Sequence, residues 1–166
     1  MLDLTYRNVE TRDFDALHAI ASHWSVVRQL GGWPWPPDPD FTKTRAKPYQ
    51  GDGFVWAICK DDRLIGTVAV TGREVGYFLD PAHHGQGIMS AAVDRAVHAG
   101  FCDLGRDRLQ AYTWADNDAS HKVLTRAGFF HYRTDFDHAK ARRVPTLGRA
   151  YRMFRADWDR LRTAAQ

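Results

Sequence analysis

Several large classes of protein are excluded by what this sequence has little of. Its two cysteines, Cys59 and Cys102, are too few for a disulfide framework, and each sits among apolar neighbours ("VWAICK", "AGFCDL"). That setting predicts two buried thiols in a reducing, cytoplasmic compartment. No apolar run approaches the roughly 18 residues that a membrane span needs. The N-terminal "MLDLTYRNVE" has neither the basic start nor the apolar stretch of a secretory leader, so no membrane association is expected. Charge is nearly balanced, with 23 Lys and Arg against 20 Asp and Glu. The densest basic cluster is "HAKARR", His138 to Arg143, and no nucleic-acid module accompanies it, so no nucleic-acid partner is expected. There is no G-x-S-x-G elbow for a hydrolase triad. His83 and His84 are adjacent in a loop without a supporting Cys or acid cluster, so no metal is expected.

What is present is enough for one domain over residues 1–166, with 44% hydrophobic and 26% charged residues. Leu4 to Val9 alternates as a strand, and Thr11 to His23 carries Phe14, Leu17, Ile20 and Ala21 at helical spacing. The segment "WPWPPDPD" (Trp33 to Asp40) is too short and too aromatic for a flexible linker, and a short helix is allowed between Phe41 and Tyr49. Phe54 to Lys60, Leu64 to Gly72 and Arg73 to Asp80 read as three consecutive strands, the first two joined at "DDR". A helix from Gly87 to Gly100, with Gly100 as its stop, is followed by a strand from Arg108 to Trp114. The stretch "DND" (Asp116 to Asp118) caps a helix that Gly128 ends, and Phe129 to His138 and Arg149 to Arg155 close the chain as strands. Three antiparallel strands, a βαβ unit and a closing pair make an α/β (α+β) fold, a mixed sheet with helices on its faces.

The stretch "DPAHHGQGIMSAAVDRAV" places Gly85 and Gly87 between an apolar strand and a helix. Amides at a helix start have no intrahelical partner and carry partial positive charge, which suits a phosphate. Glycines there let an anion approach the backbone closely. A P-loop would require a following Lys, which is missing. A G-x-G-x-x-G dinucleotide fingerprint would end on Gly where Ser90 stands, and its strand would come first in a parallel array.

A third phosphate loop fits. His84-Gly85-Gln86-Gly87-Ile88-Met89 resembles the [QR]-x-x-G-x-[GA] loop of the GNAT N-acetyltransferases, with His and Met at its first and last positions. The RimJ/RimL-like branch of that family often accepts such changes, and "EVGYFLDPAHHGQGIM" (Glu74 to Met89) is similar to its pattern. A second shared motif, N-x-x-S-x-x-[VL]-x-x-x-x-G-F, is carried by Asn117, Ser120, Val123, Gly128 and Phe129. The resemblance covers nearly the whole chain and implies a mixed, mostly antiparallel central sheet flanked by helices.

It also implies acetyl-CoA as co-substrate and direct attack by an amine in a ternary complex. In the family the strand before the loop splays from its neighbour, and the pantetheine arm fills the gap, with the backbone of Gly76 to Leu79 lining it. Phe78 or Leu79 would offer an amide to the thioester oxygen. His84, Gly85, Gln86, Gly87, Ile88, Met89 and Ser90 would hold the pyrophosphate, Asn117 the pantetheine arm, and Lys122 the nucleotide phosphates. Glu74 would serve as base and meet the acceptor, and Ser120 would assist the departing thiolate, because Leu124 stands where many members have a Tyr. Trp33 and Trp35 lie in the segment that covers the acceptor side in this branch. Each of these residues also has a plain structural role open to it: strand end, helix cap, sheet core or loop packing. Branch members acetylate protein N-termini, other protein amines and small amines, so the acceptor is a small-molecule or peptide amine, and the protein is a monomer or a homodimer. The alternatives are a non-catalytic acyl-CoA-binding sensor on the same fold and a nucleotide-binding oxidoreductase.

Overall fold

The structure, a computed structural model, describes residues 3–164. Strands β1 (Leu4–Asn8), β2 (Gly53–Lys60), β3 (Arg63–Thr71), β4 (Glu74–Leu79), β5 (Arg108–Trp114), β6 (Phe130–Ala139) and β7 (Val144–Phe154) form one sheet in the order β1-β2-β3-β4-β5-β7-β6. Every neighbouring pair is antiparallel except β4 and β5. The turn between β2 and β3 puts Asp61 and Asp62 at φ 50° and 60°, the left-handed pair that a two-residue hairpin needs.

Alternation along the strands sorts side chains onto two faces. Ile58, Ile65, Val68, Val70, Val75, Leu109, Ala111, Tyr151 and Met153 face one side, where α4 (Ile88–Cys102) lays Ile88, Ala92, Val93, Ala96 and Val97 against them. Ala57, Cys59 and Leu64 face the other, under Leu17, Ile20 and Val26 from α1 (Phe14–Ala21) and α2 (Trp24–Val27). Short α3 (Pro39–Arg45) adds to this second face; Asp38 caps it by accepting hydrogen bonds from the amides of Asp40 and Phe41. Helix α5 (Asp118–Ala127) follows β5. Asn117 accepts the Ser120 amide at its start, and Gly128, at φ 99°, ends it.

The structure corrects the sequence reading in four places. Gly100 does not stop α4, which runs two residues further; a Cβ at Gly100 would come 3.0 Å from Leu109 Cδ1, so this glycine permits close helix-to-sheet packing. Cys102 is exposed at the end of that helix, and only Cys59 is buried. The segment from Thr11 to Asp13 is a tight 3₁₀ turn before α1 begins at Phe14. A last helix, α6 (Arg155–Ala164), follows β7 directly; it is anchored by Trp158, whose ring lies 5.1 Å from that of Phe101. Among the described residues no helix is long and apolar enough to cross a membrane.

Candidate active site

Strands β4 and β5 run parallel but pair at a single position, Glu74 opposite Gln110, where the Gln110 amide donates to the Arg73 carbonyl at 2.8 Å. Beyond that point they diverge. The gap widens into a cleft of about 760 Å³, walled by Val75 to Leu79 on one side and by Ala111 to Thr113 and Asp116 to Ser120 on the other. Its far end is the loop from His83 to Ser90, and Ser25, Val26, Gln29, Leu30 and Gly31 overhang it from the second face.

The loop end has the chemistry that suits an anion. The Ala91 amide donates to the Gly87 carbonyl at 3.1 Å and closes the first turn of α4. The amides of Gly87, Ile88, Met89 and Ser90 therefore precede any carbonyl four residues back within the helix, and carry its positive dipole end. Gly85 and Gly87 sit at φ 73° and 76°, and a Cβ built on either would meet no protein atom within 4 Å. Protein packing thus does not demand glycine here. The backbone conformation demands it, and the space beside it is open. His84 donates from Nε2 to the Leu79 carbonyl at 3.0 Å, which ties this loop to the end of β4.

At the middle of the cleft Tyr77 reaches across from β4 and donates to the Ser120 carbonyl at 3.4 Å. Burial pushes its phenol up to about 12, so it stays protonated. Asn117 uses Oδ1 for its helix cap, which leaves its amide nitrogen available beside the cleft. Glu74 stands at the vertex of the splay, on the Gly76 and Phe78 side of β4. Its surface is largely open to solvent, yet crowding by neighbouring protein raises its carboxyl above the usual carboxylate range.

Phe78, Leu79, His84, Gly85, Gln86, Gly87, Ile88, Met89, Ser90, Asn117 and Ser120 all line this one cleft. Glu74, Lys122, Trp33 and Trp35 do not line it. Lys122 is exposed on α5, and Arg126, one turn later, lines the cleft instead. Trp33 is one layer back, its ring edge-on to Phe78 at 5.6 Å, and Trp35 packs on Trp24 at 5.2 Å. Two features escaped the sequence reading. Tyr77 looks like any strand aromatic until the splay is known, and the period-two pattern carries no sign of it. Arg126 differs from Lys122 only by its angle around α5.

A second group fastens the overhanging segment. Arg142, from the turn between β6 and β7, donates to the carbonyl of Arg28 (2.9 Å), to Gln29 Oε1 (3.0 Å) and to both oxygens of Asp116 (2.8 and 3.0 Å). Arg28 donates to the same carboxylate at 2.6 Å. The Arg142 hydrogen bond foremost, and then the charges of Arg142 and Arg28, hold Asp116 below the usual carboxylate range against the pull of its burial. Among the described residues no group of three or more potential metal ligands comes together.

Comparison with known proteins bears on this arrangement. Residues 3–130 match the family described as Acetyltransferase (GNAT) domain. The chain is 30% identical to the uncharacterized N-acetyltransferase YoaA of Bacillus subtilis over 139 residues, 76% of this chain and 78% of that one. It is 30% identical to the ribosomal-protein-serine acetyltransferase of Escherichia coli over 139 residues, 68% of this chain and 77% of that one. A match to "Probable N-acetyltransferase YjcK" of Bacillus subtilis is 44% identical but spans only 77 residues, 42% of each chain. Among solved structures, the spermidine N-acetyltransferase from Vibrio cholerae in complex with CoA and spermine superposes with TM-score 0.78 at 15% identity, covering 93% of this chain and 97% of that one. The RimL ribosomal L7/L12 alpha-N-protein acetyltransferase in complex with coenzyme A does so with TM-score 0.73 at 21% identity, covering 91% and 93%. At such identities these two show the fold alone. The splayed sheet and the extent of these matches agree: the chain belongs to the GNAT acetyltransferase family, with a ribosomal-protein-serine acetyltransferase among its relatives.

Proposed function

We propose that the chain is an acetyl-CoA-dependent N-acetyltransferase that moves the acetyl group to a primary amine by direct attack. The observation that carries this reading is the β4–β5 cleft, which ends on a glycine-flanked helix start whose open space no protein atom fills. A diphosphate fits the amides of Gly85 to Ser90, and an extended amide-bearing arm fits between the unpaired edges of β4 and β5. The co-substrate supplies the activated acyl group; the chain supplies position, a base and hydrogen-bond donors.

In the reaction a neutral amine nitrogen forms a bond to the thioester carbon, and the carbon–sulfur bond breaks. Backbone amides near Phe78 and Leu79 stabilise the oxygen that gains charge. Glu74, at the vertex, accepts the amine proton through water. The Ser120 hydroxyl stabilises the thiolate, and Tyr77 positions this turn of α5 through its hydrogen bond to the Ser120 carbonyl. Trp33 and Trp35 back the acceptor side.

Calorimetric titration tests the reading. Acetyl-CoA binds with micromolar affinity, whereas NADH and ATP do not compete. Failure of acetyl-CoA to bind overturns it. Binding without transfer to any amine or peptide instead identifies an acyl-CoA-binding sensor on this fold.

The pH profile checks the role given to Glu74. A base must be ionised, so kcat/KM falls as pH drops through the raised Glu74 value, with the limb lying above the ordinary carboxylate range near 4. Glu74→Gln removes that limb and lowers kcat about a hundredfold. An unchanged profile in the variant removes Glu74 from the mechanism.

A further inference from the structure

The basic cluster from His138 to Arg143 has no part in the chemistry above, yet the fold folds it back over the acceptor side. Residues 140–143 form the turn between β6 and β7. Arg142 grips Arg28, Gln29 and Asp116, and Arg143 donates to the Trp35 carbonyl at 2.8 Å. The Lys140 ammonium lies 4.6 Å from the centre of the Phe41 ring, and the Arg45 guanidinium lies 5.0 Å from the same ring. Phe41 meets Trp33 edge-on at 5.3 Å, and Trp33 meets Phe78, a cleft residue, at 5.6 Å. A continuous aromatic path therefore leads from the cleft wall to two exposed cations.

The carboxylates beside this turn and α3 are engaged. Asp116 is shared by two guanidinium groups, Asp40 pairs with Lys43 at 2.9 Å, and Asp38 caps α3. Among the described residues Arg45, Lys140 and Arg143 are in no ion pair. The rim around Phe41 and the 140–143 turn thus presents three unpaired positive side chains, two held by an aromatic face and one by a backbone carbonyl.

Resting on the transferase reading, we propose that Lys140 and Arg45 select acceptors, favouring an amine at the end of a peptide whose first few residues are acidic. The path from Phe78 to Lys140 is at most about 15 Å, the reach of roughly four extended residues at about 3.5 Å each. A peptide of that length spans it. A polyamine would place its second cation among like charges.

The test is a kcat/KM comparison, in the full-length protein with saturating acetyl-CoA, across peptides with acidic, neutral or basic residues at positions 2–5, free glutamate, and spermidine. Acidic peptides exceed neutral ones by about tenfold, and basic peptides and spermidine fall below both. Raising salt from 50 to about 500 mM narrows the ratio in the unaltered protein, which requires no variant to fold. Lys140→Ala with Arg45→Ala brings the acidic-to-neutral ratio close to one, while Lys140→Arg retains it. Equal rates on acidic and neutral peptides overturn the inference and leave the transferase reading standing. A preference for free glutamate over the peptides overturns the peptide assignment. Transfer to none of these peptides overturns the inference, and transfer to no amine at all overturns the transferase reading as well.

Discussion

Gly87→Val binds acetyl-CoA at least about a hundredfold more weakly than the unaltered protein, and Gly105→Val binds it normally. The two glycines sit near opposite ends of α4 in the same left-handed backbone region, at φ 76° and 64°, and a Cβ at either would touch no protein atom within 4 Å. A β-branched residue pays the same kind of backbone penalty at both sites, about 1–2 kcal/mol. Their losses of thermal stability are therefore alike. They differ in what the new side chain faces. At position 87 it stands in the cleft, over the first amides of α4, where a bound phosphate must come within hydrogen-bond distance. Position 105 is not among the residues that line the cleft. Titration calorimetry and thermal melts on the pair separate the two effects. Equal binding by both variants would show that the cradle is somewhere else.

Arg142→Ala lowers stability by about 2–3 kcal/mol, or about 5–10 °C in Tm for a chain of this size. The guanidinium side chain is only 14% exposed and satisfies one carbonyl, one amide oxygen and both oxygens of a carboxylate. It also lies over the Trp114 ring at 5.8 Å. Truncation takes this donor from the Arg28 carbonyl and Gln29 Oε1, and leaves Asp116 with its more exposed contact to Arg28. Arg142→Lys keeps the charge but loses the fork that engages both Asp116 oxygens, so it recovers less than half of the loss. The acid dependence has a definite sign. Asp116 is held below its usual range in the folded chain, so the contribution of this clamp is fully present above the ordinary aspartate value near 4 and disappears only as pH falls through the depressed one. The difference in Tm between Arg142→Ala and the unaltered protein is therefore constant from about pH 5 to 8. A difference below about 0.5 kcal/mol would mean that solvent already satisfies these groups.

Local chemistry explains which parts of this fold can be read without coordinates. Strands β2 to β5 follow from runs such as "FVWAICK" and "LIGTVAVTG" because alternation and β-branching are properties of a few consecutive residues. The left-handed Asp61–Asp62 turn and the Asn117 cap are equally local. The misreadings share a different cause. Gly100 carries a common stop signal, but its use is decided by Leu109, a strand away. Cys102 is flanked by apolar residues, yet it falls on the outer side of its helix. Helix α6 buries Trp158 alone, too little to produce a periodic stripe.

The candidate site divides the same way. The anion loop is legible because glycine spacing and a helix start lie within six residues. Tyr77, Arg126 and the Arg142 clamp depend on how distant strands are spaced, and the 138–143 cluster reveals its direction only once β6 and β7 are paired. What looks in one dimension like a small basic patch folds back against the segment from Arg28 to Phe41.

A single residue pair joins β4 to β5, so the sheet is two panels rather than one. The first carries β1 to β4, and the second carries β5, β7 and β6. Ladder hydrogen bonds hold each panel internally, but the panels meet through the shared core beneath α4 and through the Arg142 clamp. Any molecule lying along the seam acts as a removable strand. Occupancy of the seam and mechanical coupling of the two halves are then one variable.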